Sequence, residues 1–261
     1  MDDERDFRVA VVTGGAAGIG AAVCRRFVAD GYAVALLDVD GSAGEKRAAE
    51  LREQGRTARF FACDLRDPAA IEAAFDAVMD AFGRIDVLVN NAGVGGYCDW
   101  RTMSDEEWRA FTSVNCDAAF LCVQRAAREM VAGKIAGRIV VVLSQAALNQ
   151  DETIVVPYGT SKWCERGLMT AAARGLEPYG IAVNGVCPGT VWTPMMDRFC
   201  KEYTDSGAGT KEEYRAFIED KYPTRRIQEP EDIADMCAFA AREGTGFSGQ
   251  TLLVAGGIVV D

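Results

Sequence analysis

Tyr158 and Lys162 stand four residues apart in PYGTSKW, so on a helix they share one face. Of the seven tyrosines, only Tyr158 has a lysine at that offset. A free phenol ionises near pH ~10 and is a poor base at neutrality. A neighbouring ammonium favours the phenolate and turns it into a usable acid–base group. Ser144 closes the apolar run RIVVVL, where its hydroxyl can hold a substrate oxygen, and Gln145 follows it. Alone, a Tyr-Lys pair also fits a solvated helix face. The chain contains no histidine, which excludes Ser-His-Asp and Cys-His nucleophilic catalysis and HExxH zinc sites. No cysteine pair has metal-ligand spacing, so no metal site is expected.

A second pattern says what the phenol would work beside. Thr13-Gly14-Gly15-Ala16-Ala17-Gly18-Ile19-Gly20 follows an apolar strand and opens a helix. Gly14 permits a sharp turn, Gly18 lets backbone approach a pyrophosphate at the helix start, and Gly20 lets helix pack on strand. Asp38 ends the next apolar run, 18 residues beyond Gly20, where an acidic side chain meets the adenosine ribose. It repels a 2′-phosphate, and no Arg or Lys occurs between Asp38 and Glu45. The expected cofactor is therefore NAD rather than NADP. Asp64-Leu65 after the third strand is placed to cup the adenine, and Asn90-Asn91-Ala92-Gly93 after the fourth puts small polar residues in the same crevice.

These residues need a scaffold that brings distant strand ends together. Apolar runs at 8–13, 33–38, 57–63, 87–89, 138–143, 181–186 and 251–254 alternate with helical segments at 18–30, 41–54, 68–82, 104–132, 157–179 and 230–241. Near-continuous apolar strands imply a sheet covered on both faces. The expected fold is one doubly wound α/β Rossmann domain over 1–261, with about seven parallel strands. Residues 190–227 show no strand pattern and carry Trp192, Met195, Met196, Phe199, Tyr203, Tyr214, Phe217 and Tyr222. An insertion of that length reads as a helical substrate lid.

Composition narrows the setting. The 261 residues are 49 % apolar and 26 % charged, the balance of an ordinary globular protein. A net charge of −11 argues against nucleic-acid or anionic-membrane partners. Nine cysteines without a CxxC read as free thiols in a reducing compartment. The acidic MDDERDF start has no hydrophobic signal core, and no apolar run is long enough to span a membrane. A cytoplasmic protein is expected.

Taken together, TGGAAGIG, NNAG, YGTSK, PGTVWTP (188–194) and SGQTLLVAGG (248–257) resemble the short-chain dehydrogenase/reductase family, in its NAD-dependent branch, from Arg8 to Gly257. The resemblance implies a catalytic tetrad of Asn115, Ser144, Tyr158 and Lys162. In it Asn115 bends its helix and positions a water for proton relay, and Lys162 binds the ribose hydroxyls. It also implies that Val191 and Thr193 bind the nicotinamide carboxamide, and that subunits pair into a homotetramer or dimer. Ser144 precedes Tyr158 by one residue more than is commonest in the family, and Ala255 stands where many members have Asp.

The motifs look most like the diol and polyol dehydrogenases, including acetoin reductases and sorbitol-type enzymes. The expected substrate is a small secondary alcohol or ketone held by Ser144, Gln145, Tyr158, Trp192 and Met195. The aromatic insertion also suits a bulky hydroxysteroid or bile acid. An acyl-carrier-protein ketoacyl reductase fits less well, because Asp38 and the negative charge oppose NADPH and acidic-carrier docking. A non-catalytic NAD-sensing regulator on the same fold is the alternative of another class.

Overall fold

The apolar runs become strands of an all-parallel sheet in the computed structural model, which describes residues 7–96, 101–148, 156–205, 207–242 and 246–258. Cys98 and the acidic first residues lie outside this range. The strands are β1 (Val9–Thr13), β2 (Ala33–Asp38), β3 (Ala58–Ala62), β4 (Val87–Asn90), β5 (Arg138–Val142), β6 (Ala182–Pro188) and β7 (Thr251–Val254). They lie in the order β3-β2-β1-β4-β5-β6-β7. The winding reverses between β1 and β4: the chain leaves the edge strand β3 and returns beside β1. Crossovers then continue outward on the other side, and ligands of such sheets bind where this reversal opens a crevice.

Helices cover both faces. On one side, α3 (Pro68–Phe82), α5 (Ala119–Ala132) and α6 (Val156–Leu176) bury Ile71, Phe75, Val78, Ala126, Met130 and Met169 against the strands. On the other, α1 (Gly18–Ala29), α2 (Gly41–Glu53) and α9 (Pro230–Ala240) bury Phe27, Val28, Leu51, Ile233 and Cys237. This two-sided burial is why the strands carry no polar alternation. Helix starts follow local chemistry. Asp67 accepts from the Ala69 amide at 2.9 Å ahead of Pro68, and Ser104 and Glu107 form a reciprocal capping box.

The run 104–132 departs from the single helix expected of it. It divides into α4 (Asp105–Thr112), a π-helical stretch Ser113–Ala118, and α5. A π turn inserts one residue into the helical ladder. Here it holds Asn115, fully buried, with its side-chain amide turned onto the backbone of Val94.

The insertion forms α7 (Pro194–Asp205) and α8 (Lys211–Asp220). They share a small core of Cys200, Tyr214, Ile218, Tyr222 and Ile227, separate from the two cores under the sheet. Among the described residues, no helix is long and apolar enough to cross a membrane.

Candidate active site

The crevice begins at the glycine turn. Gly18 has φ +53°, a left-handed conformation that costs a side-chain-bearing residue strain. A Cβ on Gly20 would lie 2.0 Å from the Gly14 carbonyl oxygen, so only glycine lets α1 approach β1 this closely. The N-cap of α1, Ala17, makes no side-chain capping bond. The first-turn N–H groups are thus left for an anion.

Thr13 ties this turn to the other side of the reversal. Its hydroxyl oxygen accepts from the amides of Asn91 and Ala92, each at 3.0 Å. The Asn91 side chain donates back to the Thr13 carbonyl at 2.9 Å. At the end of β2, Asp38 accepts from the Ala16 amide at 3.0 Å and the Asp40 amide at 3.1 Å. Its carboxylate is fixed beside the turn. Asp64 is ion-paired with Arg66 at 2.7 Å, which holds its carboxyl down at about 2. An uncapped helix start, a glycine cradle and an acidic strand end together fit a dinucleotide.

A cleft of about 1530 Å³ runs from this turn along the C-terminal ends of the strands. Gly14, Gly18, Ile19, Asp38, Asp64 and Leu65 line one end. Ser144, Gln145, Tyr158, Lys162, Val191, Thr193 and Met195 line the rest. Gly20 and Asn90 do not reach it: both are buried, and Asn91–Gly93 form the wall where Asn90 was expected. Trp192 lies off the cleft, packed with the insertion core. Lys211 and Arg215 sit over its ring, each 5.2 Å from the centroid. Met196 and Phe199, one helical turn along α7, line the cleft.

Ser144, Tyr158 and Lys162 line the cleft, and Asn115 is buried out of it. Asn115 donates to the Val94 carbonyl at 3.0 Å and to Ser161 Oγ at 2.9 Å, and accepts from the Val94 amide at 2.9 Å. Ser161 in turn donates to the Tyr158 carbonyl at 2.7 Å. The π-helical stretch and the first turns of α6 are therefore fixed to one another and to the loop after β4. Ser144 accepts from the Ala146 amide at 3.2 Å and faces the same cleft as Tyr158. Gln145 Oε1 is buried and makes no hydrogen bond among the described residues.

Lys162 Nζ lies 5.8 Å from the Tyr158 ring centroid. It donates to the Val142 carbonyl at 3.0 Å and to Glu165 Oε2 and Oε1 at 2.8 and 3.1 Å. Burial disfavours its ammonium, but Glu165 and then Tyr158 outweigh that effect and raise its pKa. Burial pushes the Glu165 carboxyl up to about 7, against the pull of Lys162. Glu165 is the residue that reading the motif overlooks. Its spacing three residues beyond Lys162 on a helix is the signal that could have drawn attention to it. Among the described residues, no cluster of His, Cys, Asp or Glu could hold a metal ion.

Residues 8–204 match the short chain dehydrogenase family. The chain is 36 % identical over 251 residues to BbsD of Thauera aromatica, a hydroxy(phenyl)methylsuccinyl-CoA dehydrogenase subunit, covering 96 % of each chain. It is 33 % identical over 258 residues to L-2,3-butanediol dehydrogenase of Corynebacterium glutamicum, covering 97 % of this chain and 98 % of that one. Among solved structures, actinorhodin polyketide ketoreductase with NADPH superposes with a TM-score of 0.92 at 33 % identity, covering 97 % of both chains. The chain belongs to the short chain dehydrogenase family, and is an oxidoreductase of alcohol or ketone groups.

Proposed function

We propose that the protein is an NAD-dependent dehydrogenase of a secondary alcohol, with a small diol or polyol as substrate, and that Asn115, Ser144, Tyr158 and Lys162 carry the reaction. When bound, the nicotinamide supplies the hydride donor or acceptor. The Tyr158 hydroxyl exchanges a proton with the substrate oxygen, and Ser144 Oγ hydrogen-bonds that oxygen to orient it. The Lys162 ammonium favours the phenolate and has one N–H left for the ribose. Asn115 fixes the helix that carries it. Val191, Thr193, Asp64 and Leu65 complete the cofactor wall, and residues 190–227 serve as the lid.

The observation that carries the diol reading is the orphan Gln145 Oε1. A buried acceptor without a donor costs about 1–3 kcal/mol, and it lies next to Ser144. A second hydroxyl beside the reacting carbon would satisfy it. Butanediol dehydrogenase among the relatives supports the same class. Met195, Met196, Phe199 and Ile218 on the opposite wall favour a second reading, a bulky apolar alcohol such as a hydroxysteroid. Eight described cysteines are free, which supports a cytoplasmic setting. Half-exposed Phe120 on α5 and Trp163 on α6 support pairing of subunits through those helices.

A panel of diols, polyols and hydroxysteroids with NAD⁺, followed at 340 nm, tests the substrate class. Gln145→Leu should lower kcat/KM for a vicinal diol roughly tenfold more than for the matching mono-alcohol, the effect of one lost hydrogen bond. Equal losses on both would sink the diol reading. Tyr158→Phe should lose ~10²–10⁴-fold in kcat while NAD still binds; more than about a tenth of wild-type turnover would remove Tyr158 from the acid–base role.

Wild-type kcat/KM should favour NAD over NADP by at least ~10-fold, because ~1.4 kcal/mol of like-charge repulsion suffices for that ratio. The cation closest to Asp38 in sequence on this wall, Arg66, is engaged by Asp64. Asp38→Ala should raise NADP activity and weaken NAD; equal wild-type values would show that Asp38 does not meet the ribose. Light scattering at micromolar concentration should give a dimer or tetramer, and a mass of 28.1 kDa would refute pairing.

A further inference from the structure

Glu165 is 1 % exposed and Lys162 4 %. Two ionisable groups have been placed in the interior side by side, which is costly unless each satisfies the other. An ammonium has three N–H donors. One meets the Val142 carbonyl and another the Glu165 carboxylate, at distances of 2.8 to 3.1 Å. Lys162 thus has a fixed position between β5 and the cleft, and the carboxylate that fixes it also cancels much of its charge. Tyr158, Lys162 and Glu165 lie along one helix, with Glu165 seven residues after Tyr158.

We propose that Glu165 is a positioning residue that pins the Lys162 ammonium against the Val142 carbonyl and offsets its charge at Tyr158, so that it sets the pH at which Tyr158 becomes a phenolate. The proposal rests on Tyr158 and Lys162 being the acid–base pair. Lys162 without its counter-ion stabilises the phenolate strongly; with it, the stabilisation is partial and the phenol keeps its proton to higher pH. An enzyme so built retains a phenol able to donate its proton to a carbonyl, which suits the reductive direction. Among the described residues, the charged and titratable groups facing the pair are few. Lys162 feels Glu165, Tyr158 and, from β6, Cys187. Glu165 feels Lys162. From the π-helical stretch, Cys116 feels the Glu165 charge, along with Cys164 and Asp117, and its thiol is pushed up to about 12, mainly by burial. β5 contributes the neutral Val142 carbonyl.

The test is a titration of the cofactor-free protein carrying ¹³Cζ-tyrosine, with the Tyr158 resonance assigned by its absence in Tyr158→Phe. Glu165→Gln keeps the shape and removes the charge. Seven residues of helix separate the two side chains by roughly 10 Å. Removing a unit charge at that distance in protein-like dielectric should lower the Tyr158 midpoint by about one pH unit. Glu165→Leu should move it the same way, and whichever of the two variants folds decides. Glu165→Asp, which retains the charge, should titrate with the wild type. The acid limb of kcat/KM for alcohol oxidation should follow the same order. A Tyr158 midpoint that stays with wild type or rises when the charge is removed would overturn the proposal. Failure of the acid–base reading is a different result: Tyr158→Phe would keep its turnover, whatever Glu165 does to the phenol.

Discussion

Parallel strands cannot be joined by tight turns, so every connection in this sheet must cross a face and enter the next strand from the same end. That constraint gathers all seven strand exits at one edge. It also means that the reversal between β1 and β4 leaves two connections diverging, with a crevice between them. Almost everything chemical in the protein follows from where the chain leaves the sheet. The glycine turn follows β1, Asp38 ends β2, Asp64 follows β3, Asn91–Gly93 follow β4 and Ser144 follows β5. The Thr13 hydroxyl, accepting from two amides of the β4 exit, ties the two sides of the reversal together.

The strands and glycine turns are legible in the sequence because their causes are local. A buried parallel strand must be apolar along its length, and β2, buried up to Leu37, matches its apolar run residue for residue; the half-buried edge strand β7 has the bounds of its run as well. Asp67-Pro68 and Gly83 delimit α3 because capping and left-handed termination depend on single residue types. What stays hidden depends on distant partners. The π-helical stretch exists because Asn115 meets Val94, 21 residues away. Trp192 reads as a cleft residue by its chemistry, yet Lys211 and Arg215 of α8 lie over its ring on the other side. Glu165 reads as one more helical carboxylate until its burial and its two bonds from Lys162 are seen.

The site divides the work between parts of different origin. The cofactor end is built from the sheet itself, with its groups fixed by backbone hydrogen bonds: Asp38 by two amides, Asn91 by the β1 exit. The other end is lined by α7 and α8 through Met195, Met196, Phe199 and Ile218, and their core of Tyr214, Ile218 and Tyr222 is separate from the sheet's cores. Changes in Met195, Met196 or Phe199 can therefore reshape the substrate wall without disturbing the strands. A family built this way can keep one reaction while its alcohols diverge, as the hydroxy(phenyl)methylsuccinyl-CoA and butanediol dehydrogenases among the relatives illustrate.

Around Asn115 and Lys162 the opposite holds, and one change is felt by several residues. Asn115 uses both ends of its amide on Val94 and a further N–H on Ser161, and Ser161 returns a bond to the Tyr158 carbonyl. The helix bearing Tyr158 is thus held from the π-helical stretch, while Lys162 on the same helix is held from β5 and by Glu165. The helix that carries both side chains is fixed at its backbone, and the ammonium is fixed at its Nζ, so the scaffold sets where the phenol starts from and where the positive charge sits. What remains adjustable is charge rather than position. In the proposal above, the buried carboxylate beside the buried ammonium decides how much of the positive charge reaches the phenol, which lines the cleft. On that proposal the acidity of the site is set from beneath, by a residue that is not among those lining the cleft.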